Sequence, residues 1–216
     1  MSKYKYIIFD LDGTLIDPKV GQINSVAYAL QYFHINETNK EMLCKFIGPP
    51  LKESFEKYYN FNNNQIKIGI EKYREYFIRK GINEANVYDG ITSMLFNLKQ
   101  NGKKIIIATS NPTIFAEKIA DIYMLKDYLY DICGSELDDS RILKQEIIEY
   151  AISKNKIKNK DEIIMVGDRS HDINGAKQVK IDSIGVLYGY GSQEEINEAH
   201  PTYQAKTVKD LELLLI

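Results

Sequence analysis

Asp10-Leu11-Asp12-Gly13-Thr14 is the stretch around which the rest of the chain can be read. Immediately before it runs Tyr6-Ile7-Ile8-Phe9, rich in aromatic and β-branched side chains. That composition suits a strand buried on both faces of a parallel sheet. Such a strand delivers its C-terminal end into two carboxylates. Strand side chains repeat every second residue, so Asp10 and Asp12 share a side if the chain stays extended. Two like charges held that close raise one pKa. A bound cation, or a division into one acid and one base, relieves the cost. Gly13 permits a tight turn, and Thr14 offers a hydroxyl and an amide at its exit. An ordinary acidic turn after a strand would show the same five residues, so the pentapeptide alone does not decide its chemistry.

The surrounding chain has 216 residues, which suits one α/β domain carrying an insertion, or two small domains. With 44% hydrophobic residues it can bury a sizeable core. A net charge of -2, from 28 basic and 30 acidic residues, gives no electrostatic case for nucleic acid or an anionic membrane. The first apolar run is too short for a signal peptide or a membrane span. Cys44 and Cys133 make no metal spacing and read as reduced, packing thiols. The location expected on these grounds is cytoplasmic.

Downstream of the pentapeptide, Asp17-Pro18 reads as an N-cap and first helical residue, opening a helix from Lys19 to Phe33. Further helical stretches follow at 40–46, 52–59 and 65–80, broken by Gly48-Pro49-Pro50 and by Asn62-Asn63-Asn64. Residues 18–83 therefore read as an all-α insertion. From there strands and helices alternate. Asp89 is expected to cap a helix ending at Asn101-Gly102. Ile105-Ile106-Ile107-Ala108 is a strand ending in Thr109-Ser110-Asn111-Pro112, and Tyr130–Gly134 is a weaker strand. A helix is expected from Ser140 to Ser153, with Ile142 and Leu143 among its inward residues. Ile163-Ile164-Met165-Val166 is a strand ending in Gly167-Asp168, followed by a helix from Asp172 to Val179 and a strand from Ile181 to Val186. Alternation of this kind gives right-handed βαβ units, and ligands bind at the carboxyl ends of such strands. Three separate strand runs finish in that kind of chemistry: Asp10 with Asp12, Thr109, and Asp168.

Taken together, Asp10-Leu11-Asp12-Gly13-Thr14, Thr109, Lys144 and Gly167-Asp168-Arg169-Ser170-His171-Asp172 resemble the four ordered motifs of the haloacid dehalogenase superfamily. Phe46–Leu51, Ala108–Pro112 and Gly185–Gly191 are similar to its phosphoglycolate phosphatase-like branch. The resemblance spans essentially the whole chain. It implies an α/β fold with a Rossmann-like parallel sheet core (1–17 and 84–216) and an inserted helical cap (18–83). It also implies a phosphatase for small phosphomonoesters.

The same resemblance implies the roles. Asp10 would be the nucleophile that forms an aspartyl-phosphate, and Asp12 the general acid and then base. Mg2+ would be held by Asp10, Asp12 through its backbone carbonyl, and Asp168. Asp172 either reaches the metal's waters, orients a neighbour, or caps its helix. Thr109 and the Ser110 amide, the latter at a helix N-terminus, would bind a phosphoryl oxygen. Lys144 would neutralise Asp10 and the phosphate, with Arg141 as a nearby alternative. Gly13, Thr14 and Asn111 complete the expected substrate contacts, although Asn111 stands where many relatives carry lysine. Gly48 and Pro49 read either as a specificity loop or as a plain interhelical turn. His34, His171 and His200 have no partner spacing and read as surface or packing residues, with His171, inside the fourth motif, also a candidate to line the rim of the site. The expected partner is a small phosphorylated metabolite, with no nucleic acid and no membrane, bound by a monomer or weak dimer. A phosphomutase, a receiver-like protein and a non-catalytic phospholigand sensor are the rival readings.

Overall fold

The computed structural model describes residues 2–137 and 140–216. The chain divides into two compact units, one running up to Asp17 and resuming at Val87–Ile216, the other Pro18–Asn86.

The first unit is built on a six-stranded parallel sheet. Its strands are β1 (Tyr6–Phe9), β4 (Lys104–Pro112), β5 (Asp131–Ser135), β6 (Ile163–Gly167), β7 (Asp182–Val186) and β8 (Tyr203–Ala205). Their order is β5-β4-β1-β6-β7-β8. The chain moves outward from β1 through β4 to β5, then returns to the other side of β1. That is the doubly wound Rossmann-like order, with its reversal between β1 and β6. Ile7, Ile8 and Phe9 are fully buried, as are Ile163 to Val166. Each such side chain contributes about 1.5–3 kcal/mol by leaving water. Helices α7 (Lys144–Lys154) and α8 (Ser170–Val179) lay Ile147, Ile148, Ala151, Ala176 and Val179 against Ile8, Ile106 and Met165.

Register positions the strand ends. Phe9 is level with Ile107 on one side and with Val166 on the other. The Asp10 amide then donates to the Val166 carbonyl at 2.8 Å, so the aspartate leaves the sheet between Ala108 and Gly167. Two short strands, β2 (Ile16–Asp17) and β3 (Asn86–Val87), pair as a separate ribbon.

The second unit is helical: α1 (Lys19–Tyr32), α2 (Lys40–Cys44), α3 (Leu51–Tyr59) and α4 (Asn63–Arg79). Phe46, Phe55, Tyr59 and Phe61 form an aromatic cluster within it. Asn62 caps α4, its side chain and that of Gln65 exchanging bonds with each other's backbone at 3.0 Å.

Several local expectations are corrected. Asp17 does not cap α1: it lies in β2, accepts from the Tyr190 hydroxyl, and leaves Pro18 at the cap position. Asp89 does not cap α5 (Ile91–Gln100), whose preceding residue is Gly90 at φ +86. Helix α7 starts at Lys144 rather than Ser140, because Arg141 takes a left-handed φ of +54 and Leu143 is extended. Leu143 is consequently exposed. Strand β4 runs on past Thr109, through a register shift, to Pro112, and α6 (Thr113–Ile122) follows it. Ser110 is therefore a strand residue and not the start of a helix. Strand β8 had no sequence counterpart; Tyr203-Gln204-Ala205 is too short to carry a period.

Candidate active site

The carboxyl ends of β1, β4 and β6 and the starts of α7 and α8 bring charged groups together where little of their surface is exposed. Asp10, Asp12, Thr109, Lys144, Asp168 and Asp172 are all buried. Buried charge persists only where it is paired, and the pairing here centres on Lys144. Its Nζ lies 2.8 Å from Asp10 Oδ1, 2.8 Å from Asp172 Oδ1, and donates to the Ala108 carbonyl at 3.0 Å. An ammonium has three donors, and three acceptors surround this one. Burial pulls the Lys144 pKa down, but Asp10 and Asp172 together outweigh it, so the ammonium is held in its charged form. Burial pushes Asp10 up, and Lys144 offsets that only in part, because Asp172 shares the same cation and opposes Asp10.

Asp168 has different neighbours. Thr14 Oγ1 donates to its Oδ1 at 3.3 Å, and the Tyr190 amide donates to its Oδ2 at 2.7 Å. Burial, followed by the charges of Asp172 and Asp10, pushes its pKa up to about 8. Gly13 makes room for it: a Cβ there would lie 2.3 Å from Asp168 Oδ2, and the φ of +84 is itself one that glycine accepts freely. The Gly13 amide donates to the Ile16 carbonyl at 2.8 Å, closing the turn that carries Asp12.

Asp12 Oδ2 accepts from Asn111 Nδ2 at 2.7 Å, and the Asn111 amide donates to Thr109 Oγ1 at 3.2 Å. The Ser110 carbonyl accepts from Ser135 Oγ at 2.8 Å. Gly48 and Pro49 belong to the helical unit, in the turn between α2 and α3, with Gly48 at φ +101.

The fold identifies the neighbours of two residues of the fourth motif. Asp172 orients a neighbour, Lys144, as well as bonding at the start of its helix. Its Oδ2 accepts from the Arg169 amide at 3.1 Å while its Oδ1 faces Lys144. Gly167 leaves the space, since a Cβ there would stand 2.3 Å from the Asp172 carboxyl carbon. His171 is partly exposed and borders the site: its Nε2 is buried 3.7 Å from Asp172 Oδ1 without a hydrogen-bond partner. Burial and the nearby Lys144 hold the ring's pKa down at about 3, so it is neutral at pH 7. Its place inside the fourth motif, next to Asp172, is the sequence signal for this position.

Ligand atoms of Asp10, His171 and Asp172 lie within 4.8 Å of one another. The Lys144 ammonium already serves the two carboxylates of that group, so it is a protein cation site rather than a metal site. The fit of Mg2+ is decided elsewhere, by the donor chemistry of Asp10, Asp168 and the Asp12 carbonyl. All are hard oxygens, the kind Mg2+ takes. The charge of Asp10 also helps raise the pKa of the buried Asp168, a repulsion that a divalent cation would remove. These residues fit the ion.

A family model described as haloacid dehalogenase-like hydrolase matches residues 7–186. The chain belongs to that family. As a haloacid dehalogenase-like hydrolase it is 37% identical over 213 residues to a protein of Pseudomonas aeruginosa named 5'-nucleotidase, covering 99% of this chain and 96% of that one. It is 29% identical to a Mycobacterium tuberculosis protein named tyrosine-protein kinase PtkA, covering 95% of this chain and 70% of that one. Its fold is similar to the crystal structure of a predicted phosphatase from Clostridium acetobutylicum, with a TM-score of 0.94, 43% identity and 97% of each chain covered. Among the described residues, no helix is long and apolar enough to cross a membrane.

Proposed function

We propose that this hydrolase is a Mg2+-dependent phosphatase that cleaves a small phosphomonoester through an aspartyl-phosphate on Asp10. The observation that carries the reading is the buried ammonium of Lys144, 2.8 Å from Asp10 Oδ1. A carboxylate that attacks a phosphate dianion must overcome charge repulsion, and a fixed cation beside it lowers that barrier.

Asp10 attacks phosphorus and the P–O bond to the ester oxygen breaks. The departing alkoxide takes a proton from Asp12, which stands on the same turn and is oriented by Asn111. Asp12, now a carboxylate, takes a proton from water as that water attacks phosphorus. The bond from Asp10 to phosphorus breaks, giving inorganic phosphate and restoring both aspartates. Asp10, Asp168 and the Asp12 carbonyl would hold Mg2+, which supplies charge neutralisation at the phosphoryl oxygens. Lys144 stays protonated throughout and Asp172 keeps it in place. Thr109, buried at the carboxyl-terminal part of β4, would donate its hydroxyl to a phosphoryl oxygen. Similarity to a protein named 5'-nucleotidase supports a nucleoside monophosphate as the first substrate to test.

One observation favours a second reading, transfer to a hydroxyl acceptor instead of water: the similarity to a protein named tyrosine-protein kinase. The deciding experiment is a phosphate-release screen over nucleoside monophosphates, sugar phosphates and phosphoglycolate with Mg2+, using Asp10→Asn as the blank. The hydrolase reading expects free phosphate that the blank does not release. Phosphate release that survives Asp10→Asn refutes the mechanism, and consumption without free phosphate selects the transfer reading.

A further inference from the structure

The loop that follows β7 grips Asp168 directly at one carboxylate oxygen and indirectly at the other. The Tyr190 amide donates to Oδ2 at 2.7 Å. The Tyr188 hydroxyl donates to the Thr14 carbonyl at 3.0 Å, and Thr14 Oγ1 in turn donates to Oδ1 at 3.3 Å. The Tyr190 hydroxyl donates to Asp17 Oδ1 at the end of β2. The Tyr188 ring meets the edge of Tyr88, with ring centroids 5.2 Å apart. This loop lies tightly on the aspartate, since a Cβ on Gly191 would come within 2.0 Å of the Asp168 carbonyl oxygen.

We propose that Tyr190 is a positioning residue for Asp168: its hydroxyl, anchored on Asp17, fixes the backbone amide that orients the Asp168 carboxylate toward the bound cation. The inference rests on the reading of Asp168 as a Mg2+ ligand. Mg2+ demands near-octahedral geometry at short distance, so a ligand carboxylate free to rotate loses affinity. Groups that hold a ligand in place commonly change metal affinity about 10- to 100-fold. Tyr190 is unusual in acting with both ends. The amide holds the carboxylate, and the side chain reaches a residue more than 170 positions earlier in the chain. The fixed point thereby belongs to the β2 segment and not to the loop alone.

The test is calorimetric titration of the whole protein with MgCl2 in five forms: the natural chain, Asp168→Asn, Tyr190→Phe, Asp17→Ala and the Tyr190→Phe/Asp17→Ala double variant. Tyr190→Phe keeps the ring and the amide and removes only the hydroxyl. The expected result is loss of Mg2+ binding in Asp168→Asn and a weakening of about tenfold in Tyr190→Phe. The Tyr190 hydroxyl also hydrogen-bonds with the Tyr88 side chain, so Asp17→Ala is expected to weaken binding no more than Tyr190→Phe does, and the double variant to match Tyr190→Phe, because the Tyr190–Asp17 contact can be lost only once. At saturating Mg2+, the KM of Tyr190→Phe for the phosphomonoester should return to that of the natural chain. Natural affinity in Asp168→Asn would defeat the reading of the metal site and the inference with it. Loss in Asp168→Asn with natural affinity in Tyr190→Phe and Asp17→Ala would overturn the positioning role while leaving the metal site standing. Additive losses in the double variant would overturn it as well.

Discussion

Lys144 Nζ and Asp172 Oδ1 stand 2.8 Å apart, both buried, across the starts of two neighbouring helices. The ammonium is shared with Asp10, so it neutralises two carboxylates at once. Lys144→Met removes that cation and leaves two buried acids facing each other. Breaking a buried pair this way costs about 3–5 kcal/mol. Asp10, already raised by burial and by Asp172, loses the cation that lowers it; it can escape by binding a proton, and its folded pKa lies above the unfolded one. Stability gained from a raised pKa is present at low pH and lost as pH rises through the folded value. Lys144→Met should therefore be strongly destabilised at pH 7.5 and recover part of the loss at pH 5. Urea unfolding at the two pH values checks this; an equal deficit at both would refute it. Phosphate release should be abolished at either pH.

Asn111 Nδ2 donates to Asp12 Oδ2 at 2.7 Å. That contact gives Asn111 a task beside Asp12, the proposed acid–base residue, next to the substrate contact expected from the sequence. Asn111→Ala frees the Asp12 carboxyl to rotate while leaving its chemistry intact. The expected outcome is a fall in kcat of about tenfold, below the 100- to 10,000-fold range for deleting a general acid or base itself. The KM should stay within about twofold, because an interaction made chiefly in the transition state moves kcat and kcat/KM together. Steady-state kinetics separates the cases: a raised KM with natural kcat would make Asn111 a substrate contact.

Much of this arrangement was legible because strands announce themselves. Tyr6–Phe9, Ile105–Ala108 and Ile163–Val166 are apolar runs whose ends coincide with sheet register, so Asp10, Thr109 and Asp168 could be assigned to one edge of one sheet. Lys144 could be placed at a helix start, although the boundary was four residues early. Ile142 and Leu143 continue the apolar pattern, and no periodicity reveals that Arg141 has a left-handed φ. What could not be read is the partnership of side chains. Asn111 reaches Asp12 across 99 positions, and the Tyr190 amide reaches Asp168 across 22. Both depend on where loops fold back, and a loop carries no period. The two misplaced caps share a cause: Asp17 and Asp89 carry the right side chain for a cap, but Asp17 is held by Tyr190 and the backbone before α5 turns at Gly90.

Gly167 shows how little slack surrounds these charges. Its missing side chain is the space that Asp172 occupies, with 2.3 Å between a built Cβ and the Asp172 carboxyl carbon. Gly167→Ala must displace Asp172, and Lys144 then loses one of its two carboxylates. Overpacking of this kind costs about 1–3 kcal/mol. The loss of phosphate release should be larger than that stability loss suggests, because the protein can remain folded with its ammonium misplaced. Thermal melting alongside turnover at a temperature well below the midpoint checks it. Natural turnover in a folded Gly167→Ala protein would show that Asp172 can shift without moving Lys144.

Acid stability should depend on carboxylates outside the Lys144 cluster. Asp131 is partly buried at the start of β5, which alone would push its pKa up. Lys154 at 2.7 Å, Asn155 at 2.8 Å and the Ile132 amide at 2.9 Å more than offset that, and its pKa is held below the ordinary carboxylate value. Glu195 behaves alike. Burial raises it, but the Ser170 amide at 2.8 Å and Arg169 Nε at 3.0 Å bring it lower. A carboxylate depressed on folding stabilises the native state above its unfolded pKa, and the contribution is lost as pH falls through the folded value. The unfolded values are about 3.9 for Asp and 4.3 for Glu, so the loss falls below roughly pH 4. Asp131→Asn should lower stability at pH 7 and make the acid limb shallower, since the variant has less to lose there. Chemical unfolding followed from pH 7 to pH 3 distinguishes this from a simple packing defect, which would lower the whole curve without changing its slope.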